Sequence, residues 1–225
     1  LRIAKERGAT TPILEDHDRK VLTYRDLIRA AFALGGKIKG LTKKGERVGV
    51  MLPTGVGCTV VFFALHAIGR VPVMLNFTSG AMNMRSALEA AGVKRILTAH
   101  RFIETAKLED VVESLSEKAE ITYLEQVRET IGLGDKLGAV VKAAFPSSFR
   151  ARAHHDDPGV ILFTSGSFGA PRGAVLSHQN LVANVEQINA HIDFEPDWVF
   201  FNPLPMFHCY GLTGGTLLPL LSGRK

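Results

Sequence analysis

Four short apolar runs limit the folds open to this chain: Val48–Leu52, Val71–Leu75, Arg95–Thr98 and Val160–Phe163. Their aliphatic and β-branched residues are nearly continuous rather than strictly alternating, which suits strands buried on both faces of a parallel sheet. Between them, apolar residues recur at helical spacing. A repeated strand, turn, helix order predicts an α/β fold, with a mostly parallel sheet flanked by helices.

The punctuation sharpens this reading. Pro12–Glu15 and Lys20–Thr23 read as a hairpin around Asp16–Arg19. Thr23, with Asp26 three residues on, imitates a capping box for a helix whose apolar face is Leu27, Ala30, Ala31, Leu34 and Ile38, with Gly40 as its stop. Val56–Ile68 reads as a helix, and Ser79 as the cap of another running through Leu88 to Ala91. Residues 101–150 carry more charge and one short strand candidate, Ile121–Leu124, and read as a peripheral insert; Pro146–Pro158 reads as a connector. After Val160–Phe163 come a loop over Thr164–Gly173, a strand over Ala174–Leu176, and a helix capped by Ser177 with Leu181, Val185, Ile188 and Ile192 inward. A strand over Val199–Asn202, a proline-bounded loop and a last apolar helix follow. The sub-regions are therefore 1–100, 101–158 and 159–225, within one unit over 1–225.

Several function classes drop out. Residues 48–69 and 198–223 lack Lys, Arg, Asp and Glu and are long enough to span a bilayer. Pro53-Thr54-Gly55 breaks the first, and Pro203, Pro205, Gly211, Gly214, Gly215 and Pro219 break the second, so both read as buried core. Lys and Arg number 27 against 22 Asp and Glu, giving +5, but the bases are scattered, so no nucleic-acid partner is expected. Cys58 and Cys209 are far apart with no ligand spacing, which points to a reducing compartment and no zinc framework. Leu1–Glu6 is neither a signal peptide nor a start, and the chain reads as an excised piece. His154-His155-Asp156-Asp157 offers ligand types, but on an extended chain adjacent side chains diverge, so a solvated turn is the reading and no metal ligand is assigned.

Thr164–Gly173 is the segment that carries chemistry. Three glycines, three hydroxyls and one guanidinium fall within ten residues, directly after an apolar strand. Glycines let backbone N–H groups converge on an anion, hydroxyls donate to its oxygens, and Arg172 adds a charged contact. A plain turn between strands is the alternative, though it needs fewer such residues. The spacing fits neither GxxxxGK[ST], since Pro171 stands five after Gly166, nor GxSxG, and Gly55-Val56-Gly57 lacks a dinucleotide fingerprint's third glycine.

Thr164–Gly173 also closely resembles the phosphate-loop signature of the adenylate-forming superfamily, which includes acyl-CoA synthetases, peptide-synthetase adenylation domains and luciferases. Leu22–Leu27, Gly69–Asn76 and Phe207–Leu212 resemble three further motifs of that family, in the same order. Gly69–Asn76, Ser177–Ile188 and Pro205–Gly223 most resemble the synthetase part of bacterial bifunctional acylglycerophosphoethanolamine acyltransferase/acyl-[acyl carrier protein] synthetases.

The resemblance implies the first part of a large N-terminal AMP-binding domain. It implies ATP- and Mg2+-dependent activation of a fatty acid to acyl-AMP, then transfer to a phosphopantetheine thiol of acyl carrier protein or CoA. It further implies a cytoplasmic protein associated with the inner membrane, with a lysophospholipid acyltransferase activity in the whole protein. By the same likeness Thr164, Ser165, Gly166, Ser167, Gly169, Arg172 and Gly173 would line the phosphates. Phe207, His208 and Gly211 would form the acyl-carboxylate pocket, with His208 catalytic. Arg172 stands where the family usually has Lys, and Phe168 where many members have Thr, Ser or Glu. The family's Mg2+ ligand and catalytic Lys would lie beyond Lys225, so these 225 residues alone are expected to be inactive. The alternatives are a non-catalytic anion-binding or interaction fragment, and a ligase for another carboxylic acid.

Overall fold

The computed structural model describes residues 1–16, 19–164, 171–195 and 197–225. After a short helix, α1 (Arg2–Glu6), strands β1 (Pro12–Glu15) and β2 (Val21–Thr23) pair antiparallel, as the turn between them predicts. Thr23 then caps α2 (Tyr24–Leu41): its hydroxyl accepts from the Asp26 N–H at 3.2 Å, and the Asp26 carboxylate accepts from the Thr23 N–H at 3.1 Å. The Thr23 hydroxyl, which also donates to the Asp26 carboxylate at 2.6 Å, and secondarily the Thr23 N–H hold that carboxyl below its usual range.

Gly40 does not stop the helix, which runs on to Leu41 with Thr42 as its C-cap. The stop comes from elsewhere in the chain. Arg70, 6% exposed, donates to the carbonyls of Thr42, Ile68 and Lys39 and to the Thr42 hydroxyl at 2.9 Å. One guanidinium thus satisfies orphan carbonyls at the ends of two helices, which a distant side chain can do as well as a glycine.

The central sheet contains β3 (Arg47–Val50), β4 (Val71–Met74), β5 (Arg95–Thr98), β6 (Glu120–Tyr123), β7 (Pro158–Thr164) and β8 (Arg172–Ser177), in the order β6-β5-β3-β4-β7-β8. All neighbours are parallel except β7 and β8, which are antiparallel. The exception has a simple cause: the few residues between them are too short for the crossover that a parallel pair needs. The helices are α3 (Val56–Ala67), α4 (Ala81–Ala91), α5 (His100–Ala106), α6 (Glu109–Ser116), α7 (Leu124–Glu129), α8 (Leu133–Ala144), α9 (Pro146–Phe149), α10 (His178–His191) and α11 (Leu218–Ser222).

Residue parity divides the core into two layers. Val48, Val50, Leu52, Met74, Leu97, Val160 and Leu162 pack with α2, α3 and α10 on one face. Met51, Val73, Leu75, Ile96 and Ile161 pack with α4 and α6 on the other. Because alternate residues of one strand enter different layers, both must be apolar, and the runs are continuous for that reason. The uncharged stretch 48–69 is this β3–α3 unit, and no described helix is long and apolar enough to cross a membrane.

Two other expectations need correction. Ser79 is not a cap: its hydroxyl donates to the Asn76 carbonyl at 2.7 Å, the Asn76 side chain accepts from Thr78, and α4 starts after Gly80. Local turn bonding took the hydroxyl that the helix terminus would have used. Val199–Asn202 is not a strand. Phe201 is 90% exposed, the Phe200 N–H donates to the Lys225 carbonyl at 2.7 Å, and Pro203 and Pro205 remove ladder donors. The last apolar segment is helical as expected, but Tyr210–Leu217 is π-helical before α11 begins. Ser177 caps α10 through a reciprocal pair with Asn180, as the sequence suggests.

His66 joins α3 to β7, with Nδ1 2.7 Å from the Phe62 carbonyl oxygen and Nε2 2.8 Å from that of Gly159. Desolvation by burial lowers its pKa to about 4, although the two carbonyls oppose that shift by favouring the imidazolium. In the unfolded chain the imidazole takes up its proton near pH 6.5, so the folded state loses stability as pH falls from about 6.5 to 4. We predict a loss of about 3 kcal/mol between pH 7 and pH 4 from this group. Denaturant titrations across that range should show the slope flattened in His66→Gln. An unchanged slope would exclude His66 as its source.

Candidate active site at the carboxyl edge of the sheet

In a parallel sheet the strands deliver their following loops to one edge, where ligands of open α/β folds bind. Thr164 ends β7 there and pairs in register with Arg172, the first residue of β8. The loop between them is thus held at its base by a hydroxyl facing a guanidinium across one rung. Ser165, Gly166, Ser167 and Gly169, with Phe168, lie outside the described residues. Arg172 is exposed and meets no hydrogen-bond or ionic partner among the described residues, so its charge is available. Gly173 sits opposite Phe163, where a Cβ would come within 3.3 Å of the phenyl ring. Its lack of a side chain therefore also serves packing.

The Phe207 segment reaches the same edge by another route. β4 pairs with β7 through Val73 and Ile161, and carrying that register forward puts Thr164 level with Asn76. Next in sequence, Phe77 stacks edge-on against Phe207 at 5.0 Å and against Phe102 at 4.9 Å. Phe207 is 5% exposed and anchors the segment, whereas His208, its ring 4.9 Å from that of Phe207, is exposed. The main chain of His208 is fixed at both ends: its N–H donates to the Pro205 carbonyl at 3.0 Å and its carbonyl accepts from Leu212 at 2.9 Å. A fixed backbone beside an exposed imidazole is a useful arrangement for hydrogen bonding to a ligand oxygen.

Two residues that the sequence reading passed over build this platform. The Thr54 hydroxyl, in the turn after β3, donates to the Leu204 carbonyl at 3.1 Å and accepts from the Met206 N–H at 2.9 Å. Gly55 beside it has φ 152°, which a side chain rarely tolerates, and so sharpens the strand-to-helix turn. The Asn202 amide donates to the Gly211 carbonyl at 3.0 Å, and its oxygen accepts from Leu204 at 3.1 Å. Gly211 is buried in the first turn of the π-helical segment, directly against Leu204 and Pro205. Thr54 was legible only as part of a Pro-Thr-Gly break, and Asn202 carried no signal at all.

A cleft of about 750 Å3 lies nearby, between β1, residues 199–202 and the segment Gly215–Leu220. Thr54 and Asn202 line it, but Thr164, Arg172, Phe207 and His208 do not. On its rim Glu15 pairs with Lys225 and with Arg19 at 3.2 Å, and these two cations hold its carboxyl below the usual range. The exposed Arg172 and His208 side chains lie outside this cleft, at the sheet edge.

At the connector, a turn brings His154, His155 and Asp156 together with ligand atoms within 4.8 Å, so the divergence expected of an extended chain does not hold. All three are exposed, and the His154 N–H is tied to the Asp157 carboxylate at 2.7 Å. Both cysteines are free; burial pushes the Cys58 thiol up to about 12, and Cys209 is exposed.

A family model described as AMP-binding enzyme matches residues 2–225. Similar curated proteins include 4-coumarate-CoA ligase 1 of Narcissus pseudonarcissus, 28% identical over 218 residues, covering 94% of this chain and 38% of that protein. Acyl-CoA ligase sidI of Aspergillus fumigatus is 30% identical, covering 90% of this chain and 37% of that protein. The medium-chain fatty-acid–CoA ligase of Escherichia coli K12 is 28% identical, covering 90% and 36%. The chain thus spans less than two-fifths of the length of these relatives. Among solved structures, VinN with 3-methylaspartate superposes with a TM-score of 0.80 at 21% identity, covering all of this chain and 59% of that one. O-succinylbenzoate coenzyme A synthetase from Bacillus subtilis, in complex with AMP, gives 0.80 at 14% identity, covering 99% and 53%. These structures establish the shared fold.

Proposed function

The chain belongs to the AMP-binding enzyme family, and from that premise we propose that the whole protein activates a fatty acid with ATP and passes the acyl group to a thiol. The observation that carries the reading is the register pairing of Thr164 with an exposed Arg172, which has no partner among the described residues, at the base of a Gly- and Ser-rich loop. A hydroxyl, an exposed guanidinium and a loop sequence rich in glycine and serine suit the β- and γ-phosphates of ATP. Thr164, Ser165, Gly166, Ser167, Gly169, Arg172 and Gly173 would hold them; Mg2+ would supply further charge neutralisation, and we assign it no ligand.

The fatty-acid carboxylate oxygen attacks the α-phosphorus, and the bond to the bridging β-phosphate oxygen breaks, releasing pyrophosphate. A thiolate then attacks the acyl carbonyl carbon and AMP leaves. In this reading Phe207 and Gly211 shape the acyl site while the His208 imidazole donates to a carboxylate or adenylate oxygen. These residues position charge and stabilise its redistribution, with no covalent enzyme intermediate. The uncharged stretch 198–223 would provide the apolar wall for the acyl chain.

The finer reading takes acyl carrier protein as the acceptor in place of CoA, in a cytoplasmic protein held at the inner membrane and paired with a lysophospholipid acyltransferase. Supplying each thiol to the whole protein separates the two acceptors. Fatty-acid-dependent exchange of labelled pyrophosphate into ATP is the primary test, run with aryl and amino acids beside fatty acids. No exchange with any acid would sink the proposal, and exchange with another acid class alone would replace the substrate. The isolated 225 residues, spanning so little of their relatives' length, are expected to show no exchange.

A further inference from the structure

Helix α8 is amphipathic in the wrong sense for a helix packed only on the described residues. Small Ala139 is its buried residue, and Asp135 faces α2, where it pairs with Lys37 at 2.7 Å and accepts from the Gly132 N–H at 2.9 Å. The large residues point outward: Leu133 is 79% exposed, Leu137 68%, Val141 54% and Phe145 64%, with Val140 and Phe149 also exposed. The first four are spaced by four residues, so they form one continuous ridge along the helix and its C-cap.

Beside the ridge runs a groove. Gly134 and Gly138 precede Leu137 and Val141 by three residues, which makes each pair neighbours on the helix surface. A Cβ at either glycine would meet nothing within 4 Å, so packing among the described residues does not require them. A glycine in a helix interior nevertheless lowers stability relative to alanine. Ridge and groove on one exposed face are self-complementary, the condition for a two-fold interface in which the same patch faces itself. Fluid lipid tails would gain nothing specific from a glycine groove, whereas a rigid helix gains closer approach. The six side chains expose on the order of 600 Å2 of apolar surface, close to the roughly 800 Å2 per partner of a standard interface.

We propose that this face of α8 is a homodimer interface, the Leu133–Phe145 ridge of each copy packing along the Gly134–Gly138 groove of the other. Sedimentation equilibrium of the whole protein from about 1 to 100 μM should show a monomer–dimer equilibrium. Gly138→Leu should raise the dissociation constant at least about tenfold while raising the monomer's thermal midpoint by about 2–4 °C, because leucine is the better helix former and has open space. Leu137→Glu, at an exposed position, should also abolish association without loss of helicity. A wild-type whole protein that stays monomeric throughout, as it would if its own remaining residues covered the face, or a Gly138→Leu variant that associates unchanged, overturns the proposal. So does a monomeric chain that binds phosphatidylglycerol vesicles in a Leu137-dependent way, which would give the face to lipid.

Discussion

Replacing Gly211 by alanine is expected to lower the unfolding free energy by about 3 kcal/mol or more, the opposite of what such a change does in an ordinary helix. A Cβ there would lie 2.2 Å from the Pro205 carbonyl oxygen, 2.7 Å from its carbon and 2.8 Å from the Leu204 oxygen. All three are backbone atoms, and the proline ring fixes its own φ, so the loop cannot yield cheaply. Moving it would also disturb the Gly211 carbonyl, which accepts from Asn202 and from the Thr216 hydroxyl at 2.9 Å, and the Thr54 bonds to Leu204 and Met206. Gly214→Ala is the control: its Cβ would meet the Tyr210 ring at an ordinary 3.7 Å, and the change should stay within about 1 kcal/mol. Denaturant unfolding of both variants measures the difference. If Gly211→Ala matched wild type, the close approach of loop and π-helical segment would be wrong, and with it the account of how His208 is held.

The same contrast explains what the sequence could convey. The parallel core was legible because burial on both faces writes continuous apolar runs, as at Val48–Leu52 and Val160–Phe163. Thr23 and Ser177 were legible because a capping box is local, its partners three residues apart. Failures came where a distant or competing group decided the outcome. Arg70 ends α2 from 28 residues beyond Thr42, and no pattern around Gly40 signals it. Ser79 had the right side chain for a cap, but Asn76 offered a nearer turn. Val199–Asn202 has strand composition, yet no described strand pairs with it.

The candidate site divides along similar lines. Thr164 and Arg172 were legible as chemistry from composition, but their facing register comes only from β7 pairing antiparallel with β8. His208 was singled out by resemblance, not by any property of a histidine in an apolar run. Its exposure beside a buried Phe207 depends on the contact of Phe207 with Phe77, itself packed against Phe102, more than a hundred residues earlier. Among the cations, Arg172 was given a role by its loop, while Arg70, equally prominent in its own motif, is buried structural glue. Partnering distinguishes them, and partnering is a tertiary fact.

That distinction leads to the second large effect. Arg172→Ala in the whole protein is expected to lower kcat/KM for ATP in the pyrophosphate-exchange reaction by about 10- to 150-fold, the loss of one charge-assisted hydrogen bond of about 1.5–3 kcal/mol. Stability should be unaffected, since the side chain is exposed and unpartnered among the described residues. Arg172→Lys separates charge from shape: it keeps the cation but loses the planar fork, so activity retained within a few-fold would mean a point charge suffices. A loss as deep as in Arg172→Ala would instead mean that bidentate geometry is required. The pairing with Thr164 adds a constraint, because both side chains leave the same rung of the ladder. If they grip the same phosphate, the Thr164→Ala and Arg172→Ala effects should fall short of additive in the double variant. An Arg172→Ala protein with full activity and unchanged KM for ATP would remove Arg172 from the nucleotide site, and the phosphate-loop reading would lose its one described cation.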